Sequence, residues 1–116
     1  MTVTYEQLKQ WVLDLPGGAE VMVAEWGHPT LRVNGKMFAS GAPDSPHCTV
    51  KASKDEQEQL LATQPDVYAV AAYVGRFGWV RVDLAKVDPD ELHDLVVEAW
   101  RRTAPKKLVQ QYDQAR

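Results

Sequence analysis

The sequence predicts an α+β domain: an antiparallel sheet with helices packed on one face. Three observations carry that prediction. Helical apolar stripes begin at recognisable caps near both ends and in the middle of the chain. An Asn34-Gly35 pair sits between two alternating segments, as in a tight β-hairpin. The strand-like segments are grouped between helices and do not alternate one by one with them, which argues against a parallel βαβ sheet. At 116 residues the chain has room for one core, so residues 1–116 read as a single domain.

The elements follow in order. Thr4-Tyr5-Glu6-Gln7 is a capping-box pattern, with Thr4 as N-cap and Gln7 reaching back. Leu8, Trp11, Val12 and Leu15 then repeat at helical spacing, and Pro16-Gly17-Gly18 stops the helix. Residues 20–26 form a strand of mixed alternation. Residues 30–33 and 36–40 flank the Asn34-Gly35 turn, whose positive φ angles both residues tolerate. Residues 41–46 are a loop and residues 48–52 a short strand. Ser53-Lys54-Asp55-Glu56 is another capping box opening a second helix, and Pro65-Asp66 ends it. Residues 67–74 and 79–84 read as a second hairpin around Gly75-Arg76-Phe77-Gly78. Asp88 caps the last helix, with Pro89 at its first position, where a missing N–H costs nothing. Leu92, Leu95, Val96, Ala99 and Trp100 form its buried stripe. Pro105 interrupts it, leaving residues 105–116 as a polar tail.

Face assignments follow from the period of two along a strand. In the first hairpin Val33 should pair with Lys36 and Leu31 with Phe38, all on the core side. Lys36 then lies at the rim of the core. Its stem covers apolar surface while its ammonium snorkels outward, or reaches a carboxylate, a helix end or a ligand. In the second hairpin a four-residue loop pairs Tyr73 with Val80 and Ala72 with Arg81. Tyr73, Val80 and Val82 then join the core, beside Leu8, Trp11, Leu31, Val33, Phe38, Leu95 and Trp100. Tyr68, Trp79 and Arg81 face the other way, with Arg32 and Met37. An open face with aromatics and arginines suits a protein interface or stacking and backbone contact with nucleic acid. Alternatively, the tail after Pro105 folds over that face and buries Trp79.

Charge and chemistry narrow the function classes. The net charge is −3, a poor electrostatic start for nucleic-acid binding, although Arg101, Arg102, Lys106 and Lys107 gather in one stretch. The lone Cys48 forms no internal disulfide, so a reducing cytosol is expected. No apolar run reaches membrane-helix length, and no signal-peptide pattern opens the chain. His28, His47 and His93 fall in separate segments without zinc-ligand spacing, and neither a nucleophile motif nor a phosphate loop occurs. Asp88, Asp90, Glu91 and Asp94 crowd a helix start, where negative charge is favourable. The expectation is a non-enzyme with no catalytic residue, metal site or cofactor.

Four stretches carry a family resemblance: LPGG at 15–18, WGHPTLRVNGKMFA at 26–39, GWVRVDL at 78–84 and DELHDLVVEAWRRTAPKKL at 90–108. Together with the helix between them, the similarity covers nearly the whole chain, and Gly35, Lys36, Phe38 and Ala39 form the most specific run. On them the chain resembles the MmcQ/YjbR family of small bacterial proteins. That resemblance implies an α-β(3)-α-β(2)-α arrangement and DNA binding through a double-wing fold. It supplies no catalytic residues. The resulting expectation is a cytoplasmic module that binds DNA through β-hairpin wings, using Arg32, Lys36, Arg76, Trp79 and Arg81. The alternative is a protein-interaction or self-associating module that uses the open sheet face.

Overall fold

The computed structural model describes residues 2–115. Helix α1 (Tyr5–Leu13) starts at Thr4 with a complete capping box. The Gln7 amide N donates to Thr4 Oγ1 at 3.2 Å, and the Thr4 amide N donates to Gln7 Oε1 at 3.0 Å. Four strands follow: β1 (Gly18–Val23), β2 (His28–Val33), β3 (Lys36–Ser40) and β4 (His47–Val50). Helix α2 (Lys54–Thr63) is capped by Ser53, but the expected box is half formed, because the Glu56 carboxylate is drawn to Arg102 at 3.2 Å. Then come β5 (Tyr68–Val70), a 3-10 turn at Gly75–Phe77, and β6 (Val80–Asp83). Helix α3 (Pro89–Thr103) is capped by Asp88 and leads into α4 (Lys106–Gln114). The chain order is therefore α-β4-α-β2-α-α, with one strand and one helix more than the resemblance implied.

The sheet order is β1-β2-β3-β4-β6-β5, with every pairing antiparallel. The helices pack on one face, and α3 lies against the central strands β3 and β4. Its stripe of Leu92, Leu95, Val96, Ala99 and Trp100 is buried, as its period predicts. Trp100 is wholly covered, and its indole N–H donates to the Pro16 carbonyl at 3.0 Å. Burying an indole without that acceptor would cost much of what its burial gains.

The Asn34-Gly35 turn forms as predicted, with φ of 52° and 76°. Val33 pairs with Lys36, but a bulge then intervenes, so Leu31 faces Ala39 and not Phe38. The extra residue lets Phe38 and Ala39 both be buried. Lys36 itself is exposed. The expected burial of its stem is not found. It occupies the last rung of the ladder, while its partner Val33 is covered near Leu108 of α4.

The second hairpin departs further. Arg81 pairs with Ala69, three residues from the expected Ala72. An odd shift exchanges the two faces. Tyr68 is consequently core, donating its hydroxyl to Glu91 Oε2 at 2.8 Å, while Tyr73 is 97% exposed. The physical reason is Gln57 of α2. This buried side chain donates through Nε2 to the carbonyls of Gly75 and Trp79, each at 2.8 Å, and so anchors a long connection over residues 71–79. Trp79 is buried against that anchor, at 7% exposure, and does not reach the open face.

The segment expected as a polar tail is α4. It packs on the helical side, where Tyr112 meets the Trp100 ring edge-on at 5.3 Å. It does not cover the open sheet face. Trp11 is half-buried, meeting His93 edge-on at 5.3 Å.

Candidate nucleic-acid interface and open-face cleft

The antiparallel register decides which charged connections meet. Val33 and Lys36 end the β2–β3 ladder, and Val50, Val80 and Val70 stand in line at the same end of the sheet. The β2–β3 tip, the β4–α2 link and the β5–β6 connection therefore emerge together. The C-terminus of α3 joins them, because Lys51 Nζ donates to Thr103 Oγ1 at 3.4 Å and Arg102 pairs with Glu56 at 3.2 Å. The start of α4 is close by, since Leu108 and Val33 both crowd the backbone of Gly17.

This end is cationic on balance, although Asp55 and Glu56 open α2 here, with Glu56 held by Arg102, and Asp14 ends α1 close to the start of β1. Lys36 is exposed and has no ion pair among the described residues. Arg76 projects from the 3-10 turn with its guanidinium 4.8 Å from the Phe77 ring centroid. Arg32 is folded back: Nε donates to Thr30 Oγ1 at 2.9 Å, and a terminal nitrogen donates to the Gly35 carbonyl at 3.1 Å. Lys54 lies beside Gln57, with Nζ donating to its Oε1 at 3.2 Å. Lys106 and Lys107 are exposed in the first turn of α4. Positive charge at a helix start opposes the macrodipole, so helix stability does not explain that placement. Arg101 is engaged instead by Asp113 at 2.7 Å, which raises its already high pKa.

The opposite end is anionic. It holds Asp88, Asp90 and Glu91 at the start of α3, Asp66 after α2, Asp44 in the 41–46 loop and Glu25 in the β1–β2 turn. Lys86 is the basic residue in their midst. The net charge of −3 thus hides a polarised molecule. Its two ends lie further apart than the screening length of about 8–10 Å at physiological salt, so each presents its own sign to a partner.

A second feature occupies the open sheet face. A cleft of about 580 Å³ lies between the β1–β2 turn and the β5–β6 connection, which approach from opposite edges of the sheet. Trp26 and Tyr73 line it from the two sides, with Met37, Thr49 and Arg81 along the floor. Trp26 is 52% exposed, and its ring lies 5.9 Å from that of His28. Tyr73 holds a left-handed φ of 64°, an uncommon backbone for a bulky side chain. Arg81 is exposed.

Of the residues the sequence singled out, Lys36, Arg76 and the edge of Arg32 come together at the cationic end. Arg81 lies apart, on the open face. Trp79 is buried and joins neither. Sequence reasoning missed Trp26 and Tyr73 as the exposed aromatics. Trp26 carried a usable signal, being next to Gly27 in a turn. Tyr73 carried none, because alternation placed it in the core. Among the described residues, no cluster of three or more His, Cys, Asp or Glu side chains could hold a metal ion. Cys48 is buried, and lack of solvation pushes its thiol up to about 12, so it stays protonated and unreactive at neutral pH. Burial and the neighbouring Glu20 and Glu91 raise the phenols of Tyr5 and Tyr68 as well, so both stay protonated and donate to those carboxylates. No described helix is long and apolar enough to cross a membrane.

The sequence model of the YjbR family matches residues 13–102. Three mycobacterial relatives share 38% identity over 53 residues: the uncharacterized proteins Rv2570 and MT2646 of Mycobacterium tuberculosis and Mb2600 of Mycobacterium bovis. The match covers 46% of this chain and 41% of each relative. Among solved structures, Deinococcus radiodurans protein DR2400, a DUF419 domain, superposes with a TM-score of 0.76 at 19% identity. The superposition covers 84% of this chain and 75% of that one. At that identity the likeness concerns the fold.

Proposed function

The chain belongs to the YjbR family, and we propose that it is a non-enzymatic module that binds nucleic acid, with duplex DNA as its ligand, through its cationic end. One observation carries this reading: separate segments of an acidic chain bring Lys36, Lys54, Arg76, Lys106 and Lys107 to a single end, where they outnumber Asp55 and Glu56. Lys36 on the β2–β3 tip and Arg76 on the β5–β6 connection act as the two projecting contacts. Lys106 and Lys107 extend the phosphate track. Arg32 holds the first tip in shape. Such contacts neutralise phosphates and release counterions, which gives affinity without sequence readout. The anionic end faces away from the duplex and orients the approach. We place the module in a reducing compartment such as the cytosol, where a free thiol like Cys48 is at home.

The test is fluorescence anisotropy with a labelled duplex over a salt series beginning near 50 mM, where the electrostatic contribution is strong. Wild-type protein should bind, with affinity falling steeply as salt rises. The triple variant Lys36→Glu, Arg76→Glu, Lys107→Glu should lose binding at low salt while keeping its melting transition. Single neutralisations should each make the slope of log K against log salt shallower by about 0.9 units. Lys86→Glu, at the other end, should change little. Absence of wild-type binding near 50 mM salt would end the nucleic-acid reading. A protein partner on the open face is the alternative, favoured by the exposed Trp26 and Tyr73. The concave shape there suits a smaller occupant better.

A further inference from the structure

We propose that the cleft on the open sheet face is a binding site for a small planar aromatic anion, its ring held between Trp26 and Tyr73 and its carboxylate or phosphate paired with Arg81. This site is separate from the cationic end and does not rest on the nucleic-acid reading. Its volume of about 580 Å³ lies within the range of small-molecule sites. Its walls are mostly apolar, from Trp26, Met37, Ala72, Tyr73 and Val74, with a few polar groups from His28, Ser40 and Thr49. That balance is the one ligand pockets show. A flat aromatic wall favours a ring by offset or edge-on contact.

The charge of the occupant follows from Arg81. Its guanidinium has no ion pair or side-chain hydrogen bond among the described residues, and no carboxylate lines the cleft. A planar fork of donors on an apolar floor complements a carboxylate or a phosphate in two-pronged fashion. A cationic ligand would meet repulsion there, and a neutral one would leave the fork unused. Tyr73 adds an independent observation. It is 97% exposed, and its backbone holds a left-handed φ of 64° at the mouth of the cleft. Such conformations in bulky residues collect at ligand clamps, where the surrounding structure holds them against their own preference. Here the connection is held by Gln57, and its ring is left free to close on an occupant.

The shared chemistry of an aromatic carboxylate and an aromatic phosphate is tested with three probes: naphthoate, naphthyl phosphate and the neutral naphthamide. Amide NMR of the full chain reads the result. One or both anions should shift the amides of Trp26, Thr49, Tyr73 and Arg81 saturably, and should bind about tenfold tighter than naphthamide, the worth of one charge-assisted pair. Which anion binds better identifies the head group. Arg81→Gln should erase the difference between the anions and naphthamide, and Trp26→Ala should weaken all three probes. Both side chains are exposed, so neither change threatens the fold. Three results would each overturn the proposal: no saturable shift with either anion, equal binding of naphthamide in wild type, or sedimentation showing a dimer that buries the cleft.

Discussion

The two connections that project from the cationic end are held in opposite ways. The β2–β3 tip is local: two residues with positive φ close it, and Arg32 donates back to the Gly35 carbonyl three residues on. The β5–β6 connection is nine residues long, 71–79; its 3-10 turn and the bond from the Ala71 amide to the Trp79 carbonyl close it locally, and α2 fastens it from outside. Gln57 adds a second donor to two of its carbonyls, and Gly78 lies flat against the backbone of residues 52–54. A tip of the first kind survives loss of its neighbours. One of the second kind is only as firm as its anchor. For a binding surface the difference sets mobility: Lys36 is presented on a stiff hairpin, and Arg76 on a segment whose position depends on a distant helix.

The glycines of the two regions separate the mechanisms most sharply. At Gly78, φ is 99° and an added Cβ would lie 2.7 Å from the Ala52 carbonyl oxygen, which is backbone and cannot turn aside. Gly78→Ala should therefore cost about 3–5 kcal/mol, combining left-handed strain with overpacking. At Gly35, φ is 76° but nothing lies within 4 Å of the added carbon. Gly35→Ala should cost only about 1–2 kcal/mol. Denaturant melts of the two variants give the comparison, and equal losses would mean that the second connection is not anchored as described.

Next in size is the anchor itself. Gln57→Ala removes one of two donors at each of the Gly75 and Trp79 carbonyls, which keep the amides of Gly78 and Ala71, and should cost roughly 1–3 kcal/mol. Hydrogen exchange should quicken at residues 71–79 and stay unchanged at the Asn34-Gly35 turn. Uniform quickening across both regions would show that the two tips share one cooperative unit.

The smallest effect has the opposite sign. Tyr73 makes no core contact that would offset its left-handed backbone. Tyr73→Gly should raise stability by about 1 kcal/mol, since glycine accepts that φ freely. A melting point that falls would mean that the ring supports the connection, and the contrast between the tips would narrow.

Local chemistry was legible in the sequence because it involves residues close along the chain. The Thr4, Ser53 and Asp88 caps, the Asn34-Gly35 turn and the α3 stripe each depend on a few neighbours, and each forms where its pattern indicates. Arg76 could be read as a turn residue for the same reason, whereas Lys36 was expected at the rim of the core and stands exposed. Tertiary structure decided what depends on distant partners. The bond from Gln57 to residues 75 and 79 shifted the last hairpin by three positions, which sent Tyr68 inward and Tyr73 outward. Alternation could not foresee this, because a strand of Ala and Val offers nearly the same apolar content on either face. The α4 helix was hidden for a similar reason. Its residues are polar apart from Leu108, Val109 and Tyr112, and they become a stripe only against Trp100 and Val33. The separation of charge into two ends was likewise decided by the sheet register, since only pairing across the strands brings segments so distant in sequence to one end.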